Sequence, residues 1–377
     1  MSVKGTLAEL VAINSVSSLS NEPIISYLEE RVEQKGFATR RYSYVDETGT
    51  EKINLIALAG TDFSDCTQVE LALVGHTDTV PFDANWQEAL TLTEREGKLF
   101  GRGACDTKAF IAASLTAIQN TDLNKLKLPL ALVFTADEEI GLRGAKFLAD
   151  LKPLLPRYCI VGEPTSLQPI RAGKGYSLAE VIVRGREAHS AYPALGASAI
   201  VGAARLVSRL DEIAQQLKSE EHAEFEPSYT TLNVGLIRGG TAKNIIPGEC
   251  RLTLEWRPVP NQASNHVLDL VSDAIEEEKK QNSTFEVEVK LERSDSGFET
   301  DADSELVTLL ERLSGNKSGT VAFGTEAAQM TLLGSEALVL GPGNIREAHR
   351  TGEFVPINEL ERCVEILTQT VISLCAG

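Results

Sequence analysis

The chain has 377 residues, of which 36 are Lys or Arg and 54 are Asp or Glu, so its formal net charge is −18. A hydrophobic fraction of 42% and a charged fraction of 24% are typical of a globular protein and exclude a disordered, collagen-like or coiled-coil chain. The acidic balance argues against nucleic acid or an anionic membrane as a partner, because both require a basic face. The length predicts two domains rather than one large core.

The amino-terminal residues and the cysteines both predict a cytoplasmic protein. No long apolar core with a cleavage site follows Met1, and no apolar stretch approaches the roughly 20 residues that cross a bilayer. The six cysteines are scattered without a C-x-x-C pair. This pattern favours reduced thiols over a disulfide framework or a structural zinc finger.

Helical apolar spacing runs from Leu7 to Gly36, with a break at residues 14–18. Beyond it, short apolar runs of the kind found in buried strands alternate with helical stretches. This alternation predicts an α/β domain with a central mixed sheet flanked by helices. Its clearest strands are Val69–Val74, Leu128–Phe134, Cys159–Val161 and Ala337–Leu340. Because the last strand lies near the C-terminus, we expect the domain to be discontinuous.

Between the third and fourth of these strands, the sequence predicts an inserted domain with the order β-α-β-β-α-β. This order is typical of a ferredoxin-like α+β sandwich. The predicted boundaries are 175–292 for the insert, and 1–174 with 293–377 for the discontinuous domain. The predicted elements of the insert are Tyr176–Arg184, Ala197–Leu217, Thr230–Ile237, Cys250–Trp256, Val267–Lys280 and Thr284–Lys290.

Side chains that can bind a metal follow the predicted strands where each strand ends, and one more precedes a helical segment. Ligands of open α/β sheets gather beyond the carboxyl ends of the strands, so we expect these side chains in one crevice. Histidines together with carboxylates match the nitrogen and oxygen ligands that zinc prefers. In chain order the candidates are His76, Asp78, Asp106, Glu138, Glu139, Glu163 and His349.

Each candidate taken singly has an ordinary alternative. His76 could be a structural histidine, residues 137–139 a solvated acidic turn, and Glu163 a loop carboxylate. Their shared position at strand ends is what favours a site.

Several motifs resemble those of the di-zinc amidohydrolase family of acetylornithine deacetylase, succinyl-diaminopimelate desuccinylase and related aminoacylases and carboxypeptidases. The resemblance spans nearly the whole chain, including the insert. The segments that carry it are Gly75–Pro81 (GHTDTVP), Gly101–Lys108 (GRGACDTK), Asp137–Gly141 (DEEIG) and Gly162–Thr165 (GEPT). The resemblance implies a zinc-peptidase-like catalytic domain that binds metal, with the insert as a lid and dimerisation domain.

The resemblance also implies roles for the candidate side chains. One zinc ion would lie on His76 and Glu163 and a second on Glu139 and His349, with Asp106 bridging both. Co²⁺ or Mn²⁺ could occupy similar ligands.

Two further acids would support this chemistry. Asp78 would hold the imidazole of His76 by its other ring nitrogen. Glu138 would be the general base that activates a metal-bridging hydroxide.

Three residues of the insert resemble lid residues of the family. The resemblance implies that His189 stabilises the oxyanion, that Asn244 contacts the substrate and that Arg257 binds a substrate carboxylate. Their ordinary alternatives are a turn histidine, a hairpin asparagine and a strand-end salt bridge. The lid would close over bound substrate and join a homodimer, with His189 acting within its own chain or across the interface.

The segment Phe323–Ala327 (FGTEA) resembles the acetylornithine deacetylase branch, in which its acid, Glu326, meets the substrate's amino group. Alternatively, Glu326 caps the following helix or pairs with a nearby base. The implied reaction is hydrolysis of N2-acetyl-L-ornithine to L-ornithine and acetate, a step of arginine biosynthesis.

Other functions remain open at this point. Within the family, the chain could act on acetylcitrulline or succinyl-diaminopimelate, or be a related aminoacylase or carboxypeptidase. Outside it, the chain could be a catalytically silent ligand-binding homologue. A dehydrogenase is disfavoured, because the glycine pattern at Gly341–Arg346 lacks its third glycine and contains a proline.

Overall fold

The computed structural model describes residues 2–260, 262–281 and 284–376. The chain divides into two compact units. Unit 1 comprises Met1–Arg171, Glu299–Gly319 and Thr325–Gly377, and unit 2 comprises Ala172–Phe298 and Thr320–Gly324. Unit 2 therefore extends past the predicted limits 175–292 at both ends. It also takes up Thr320–Gly324, a segment too short to carry a periodic pattern that sequence analysis could detect.

The central strands of unit 1 run parallel to one another. Thr67–His76 lies parallel to both Leu130–Thr135 and Leu154–Val161, and Glu336–Val339 lies parallel to Leu154–Val161. Their carboxyl ends consequently meet at one edge of the sheet, which is where ligands bind in such sheets. These strands are apolar on both faces, and Leu130–Thr135 is buried throughout.

Two strands that the sequence analysis did not identify extend this sheet. Ala38–Val45 pairs antiparallel with Glu51–Ala59, which in turn pairs antiparallel with Leu130–Thr135. The expectation of a central mixed sheet is thereby confirmed. The other strands of unit 1 are Thr93–Arg95, Lys98–Phe100 and Phe354–Pro356, and the strands Ile170–Gly173, Phe298–Glu299 and Gly319–Val321 lie where the chain passes from one unit to the other.

Helices cover the sheet of unit 1. The helix Lys108–Gln119 is the most deeply packed, since every side chain from Lys108 to Ile118 is buried. It passes so close to the end of a central strand that a Cβ on Gly162 would lie 2.2 Å from the ring of Phe110. Only glycine fits there, directly before Glu163. The helices of unit 1 are Val3–Ala12, Glu22–Gln34, Lys108–Gln119, Arg143–Leu151, Glu305–Ser314, Ala327–Leu332 and Ile357–Val371.

The described residues of unit 2 form one four-stranded antiparallel sheet and two α-helices. The strand order is Thr231–Gly239, Glu249–Arg257, Tyr176–Arg184 and Glu286–Asp295. The helices Ala199–Leu217 and His266–Gln281 pack on this sheet, and together the main elements follow the β-α-β-β-α-β order. The short strands Ala188–His189 and Ile245–Ile246 pair with each other beside it.

In the described part of the chain, no helix is long and apolar enough to span a bilayer. All six cysteines are unpaired, and five of them are buried.

Candidate metal centre

His76 is the last residue of a central strand and is almost completely buried, with 1% of its surface exposed. Its Nε2 lies 3.0 Å from Oδ1 of Asp106, and its Nδ1 lies 3.0 Å from the backbone carbonyl oxygen of Asp78. Burial lowers the pKa of His76, but the carboxylates of Asp106 and Asp78 outweigh burial and raise that pKa well above its usual range. Both ring nitrogens are therefore held in a fixed orientation.

Asp106 faces two histidines with its two carboxylate oxygens. Oδ1 is the oxygen near His76, and Oδ2 lies 3.1 Å from Nε2 of His349. These contacts lower the pKa of Asp106 despite its burial. A carboxylate with one oxygen toward each of two histidines has the arrangement of a ligand that bridges two cations.

Glu139 completes the group on the side of His349. Its Oε2 lies 3.0 Å from Nε2 of His349, and these carboxylate contacts raise the pKa of that histidine to about 10. His76, Asp106 and Glu139 each offer one ligand atom, and the three atoms lie within 4.8 Å of one another. His349 is half-exposed and has a left-handed backbone, with a φ of 58°.

Asp78 differs from its expected role in one respect. Its backbone carbonyl makes the hydrogen bond to His76, whereas its nearest carboxylate oxygen is 3.6 Å from the ring nitrogen, beyond hydrogen-bond range. The carboxylate instead accepts hydrogen bonds from the backbone N–H groups of Glu138 and Glu139, at 3.0 and 3.2 Å. Asp78 thus fixes the turn that presents these two acids.

Glu138 and Glu163 add to the negative charge at this edge. Burial raises the pKa of each well above its usual range, and the charges of Glu138, Glu163 and Asp106 act on one another. Two divalent cations would offset the charge of the three ligand carboxylates, and imidazole nitrogen with carboxylate oxygen is a donor set that zinc accepts. His76, Asp106 and Glu139 therefore fit a divalent metal ion.

Glu326, in unit 1, is completely buried directly before the helix Ala327–Leu332. Its side chain does not cap that helix, and neither carboxylate oxygen makes a hydrogen bond of good geometry within the described residues, although the nearby hydroxyl of Thr135 acts to lower its pKa. Burial raises its pKa to about 7. The charge of Glu326 also raises the pKa values of Glu138 and Glu163, so Glu326 lies near these two acids. A buried acid that forms no ion pair with Lys or Arg among the described residues is suited to receive a cationic group.

In unit 2 the structure brings His189 and Asn244 together. The strand residue His189 pairs with Ile245, and the N–H of Ser190 donates to the carbonyl oxygen of Asn244 at 3.0 Å. His189 is exposed, and its Nδ1 accepts a hydrogen bond from the N–H of Ala191 at 3.0 Å, which leaves Nε2 free of that contact.

Arg257 lies at the end of a different strand of unit 2. Its guanidinium stacks on the ring of Tyr176, 4.0 Å from the ring centroid, and its Nε donates to Glu255 at 2.7 Å. The planar group is thereby oriented by two neighbours.

Sequence analysis missed Glu353, a completely buried acid four residues after His349. Its Oε1 accepts hydrogen bonds from the backbone N–H groups of Cys105 and Asp106, at 2.8 and 3.0 Å. Its Oε2 accepts a hydrogen bond of 2.5 Å from Arg102, which is also buried. Glu353 therefore fixes the backbone of the loop that carries Asp106. The sequence feature that could have indicated Glu353 is its position four residues after His349.

Comparison with known proteins agrees with this geometry. The sequence profile of peptidase family M20/M25/M40 matches residues 72–373, which is most of the chain. The chain belongs to this family, and it is a metal-dependent amidohydrolase.

Two relatives are similar over nearly their full length. The chain is 50% identical to an acetylornithine deacetylase of Myxococcus xanthus over 376 residues, covering 100% of this chain and 98% of the relative. It is 36% identical to an acetylornithine deacetylase of Proteus mirabilis, covering 97% and 95% of the two chains.

Solved structures share the fold at lower identity. A tripeptidase of Staphylococcus aureus has a TM-score of 0.79 at 23% identity, with 99% of this chain and 97% of that chain covered. A dinuclear metal-binding peptidase of Bacillus subtilis has a TM-score of 0.71 at 13% identity, with the same coverage of 99% and 97%.

We expect Glu353→Ala to lower the free energy of unfolding by about 3–5 kcal/mol, because the buried guanidinium of Arg102 would lose its partner. The control is Glu365→Ala, which removes the partner of Arg362 in a pair that is at least half exposed. That change should cost less than about 1 kcal/mol. Urea unfolding followed by circular dichroism measures both, and equal losses would contradict the role given to Glu353.

Proposed function

We propose that the protein hydrolyses the amide bond of N2-acetyl-L-ornithine, releasing L-ornithine and acetate. The observation that carries this proposal is the carboxylate of Asp106, which faces His76 with one oxygen and His349 with the other. Full-length similarity to proteins named acetylornithine deacetylase supports the choice of substrate.

The metal ligands in this proposal form two sets that share Asp106. His76 and Glu163 would hold one Zn²⁺, and Glu139 and His349 the other, with Co²⁺ or Mn²⁺ as substitutes. A bound metal pair lowers the pKa of water toward neutrality and polarises the scissile carbonyl.

Glu138 is the general base of the proposal. Its carboxylate would accept a proton from the attacking water and deliver it to the nitrogen of the leaving amine, so that acetate and the free amino acid result. Burial raises the pKa of Glu138, which increases its affinity for the transferred proton. The hydrogen bond from its backbone N–H to Asp78 orients the turn that bears it.

The residues of unit 2 would act on the substrate. His189 would stabilise the oxyanion through its free ring nitrogen. Asn244, joined to the same strand pair, would contact the substrate, and the stacked guanidinium of Arg257 would bind the α-carboxylate.

Glu326 would determine which acyl amino acid is the preferred substrate. A buried carboxylate that forms no ion pair with Lys or Arg among the described residues favours the side-chain ammonium of ornithine over the uncharged urea group of citrulline, and it repels the additional carboxylates of succinyl-diaminopimelate.

We further propose a homodimer formed through unit 2. Thr231–Gly239 is an edge strand of its sheet, and it exposes 52% of Leu236 and 53% of Ile237. Ile200 and Val201, on the helix that packs against this strand, are exposed as well. An edge strand with exposed apolar side chains is suited to pair with a second copy.

Metal-depleted protein should not hydrolyse N2-acetyl-L-ornithine, and added Zn²⁺ should restore the reaction. The zinc-restored protein should have a higher kcat/KM for this substrate than for acetylcitrulline, succinyl-diaminopimelate or a panel of dipeptides. Release of free amine measures all four. Preference for a dipeptide, or turnover that does not depend on metal, would overturn the proposal.

The control for this experiment is Glu138→Gln, which keeps the shape of the side chain. It should retain the zinc content of the wild type, measured by elemental analysis, while kcat falls by roughly 10²- to 10⁴-fold. Loss of zinc would instead make Glu138 a ligand. Substrate affinity without any turnover in the wild type would favour a silent binding homologue.

For Glu326→Gln we expect kcat/KM for N2-acetyl-L-ornithine to fall by about 10- to 150-fold, because a hydrogen bond between charged groups contributes about 1.5–3 kcal/mol. N-acetyl-L-norvaline has the same carbon chain without the amine, so its kcat/KM should change by less than about twofold on this account. Arg257→Ala should lower the values for both substrates. Equal losses with both substrates in Glu326→Gln would reject the ammonium contact.

Leu236→Glu should convert the dimer to a monomer, since it places a charge in the apolar edge. The matched control is Leu291→Glu on the opposite edge strand, where the leucine is 49% exposed. That variant should remain dimeric. Light scattering with size-exclusion chromatography measures the mass. A monomeric wild type at micromolar concentration, or equal behaviour of both variants, would exclude this interface.

A further inference from the structure

Lys52 is a completely buried lysine in unit 1 that has no assigned role. Its Nζ lies 3.1 Å from Oδ1 of Asp137, and it donates hydrogen bonds to the backbone carbonyls of Ser17 and Leu19, at 2.5 and 2.8 Å. These contacts account for all three donors of the ammonium group. Oδ2 of Asp46 lies farther away, at 3.9 Å, so the short contacts of the lysine are to two separate segments of the chain.

The first segment is the turn that begins at Asp137, directly before Glu138 and Glu139. Asp137 has a left-handed backbone with a φ of 55°, which is unfavourable for a residue other than glycine and requires support from its surroundings. Its Oδ2 accepts a hydrogen bond of 2.8 Å from the hydroxyl of Tyr44. Tyr44 lies directly opposite Lys52 in an antiparallel strand pair, so both groups reach Asp137 from adjacent positions.

The second segment is the loop that contains Ser17. The hydroxyl of Ser17 donates to Oδ2 of Asp78 at 2.8 Å, while its carbonyl accepts from Lys52. The carboxylate of Asp78 in turn accepts the backbone N–H groups of Glu138 and Glu139. Lys52 thus contacts both the turn that bears these acids and the loop that holds their hydrogen-bond acceptor.

We propose that Lys52, together with Asp137 and Tyr44, is a positioning group that fixes the turn carrying Glu138 and Glu139. Ion pairs buried this completely add little to stability compared with apolar side chains, so a role in orientation explains the arrangement better than a role in stability. The inference rests on the proposed function, because it assigns to Glu138 and Glu139 the roles of base and ligand.

The central experiment compares Lys52→Met with Lys174→Met. Lys174 is also buried and donates to two backbone carbonyls, those of Pro227 and Tyr229 at 2.7 and 2.6 Å, but it lies in unit 2. With saturating Zn²⁺, Lys52→Met should lower kcat by about 10- to 100-fold, the range typical when a partner behind a ligand is removed. Its KM should stay within about twofold, and Lys174→Met should leave both constants unchanged.

A double variant separates positioning from general damage. If Lys52 acts through the turn, adding Lys52→Met to Glu138→Gln should lower kcat by less than about twofold further. If the kcat losses of the two single variants multiply in the double variant, the proposal is overturned. A wild-type kcat in Lys52→Met would overturn it as well.

Tyr44→Phe is a second variant that tests the proposal when Lys52→Met does not fold. It removes only one hydroxyl, from a partly exposed side chain. It should lower kcat severalfold with an unchanged KM, and an unchanged kcat would count against the proposal even when Lys52→Met does not fold.

Zinc titration of the metal-depleted protein gives a readout that does not depend on the substrate. Tyr44→Phe and Lys52→Met should each bind Zn²⁺ more weakly than the wild type, by up to about 100-fold, because the turn also carries Glu139. When the wild type is inactive on acetylornithine, the proposed substrate fails, and the zinc affinities alone decide the role of Lys52. Wild-type affinity in both variants would then reject it.

Discussion

Several acids lie close together at one edge of the parallel sheet of unit 1. The arrangement of the site depends on how their negative charges are offset. Asp106, Glu138 and Glu163 lie close enough for each charge to disfavour the others, and burial adds to this effect. The histidines at this edge reduce the repulsion, as the opposite shifts in the pKa of His76 and of Asp106 indicate. Two divalent cations would remove it far more completely, which explains why so many acids can be kept in one buried place.

Surrounding groups hold these acids in place mainly through the backbone. Glu353 accepts the N–H groups of Cys105 and Asp106, and Asp78 accepts those of Glu138 and Glu139. Because these hydrogen bonds come from the backbone, they leave the side-chain oxygens of Asp106, Glu138 and Glu139 uninvolved. The site accordingly contains two kinds of acid, those that would face a metal ion and those that orient the chain behind them.

Sequence reasoning identified His76, Asp106 and Glu139, which the structure brings together, because each lies just after a buried strand or just before a helix, and such positions can be read from apolar runs. Glu353 and Lys52 could not be found in this way. Glu353 acts on Asp106 across 247 positions of sequence, and Lys52 acts on a turn that begins at Asp137. The strand Ala38–Val45 was also missed, since it alternates between exposed and half-buried residues and has no buried face. The strand Glu51–Ala59 was missed although its apolar run is buried from Lys52 onward. Contacts between residues so far apart in the sequence depend on the strand order, which apolar runs do not encode.

Membership of the family defines the type of reaction, but it leaves the substrate to be decided by particular side chains. Solved structures with 13% and 23% identity share the fold and are named peptidases, whereas relatives with 36% and 50% identity are named deacetylases. The family match supports metal-dependent amide hydrolysis, and the choice of substrate has to come from few side chains. Glu326 is suited to make that choice. A buried acid that forms no ion pair with Lys or Arg among the described residues is costly in the free protein, and a cationic side chain on the substrate would relieve that cost only when it is bound.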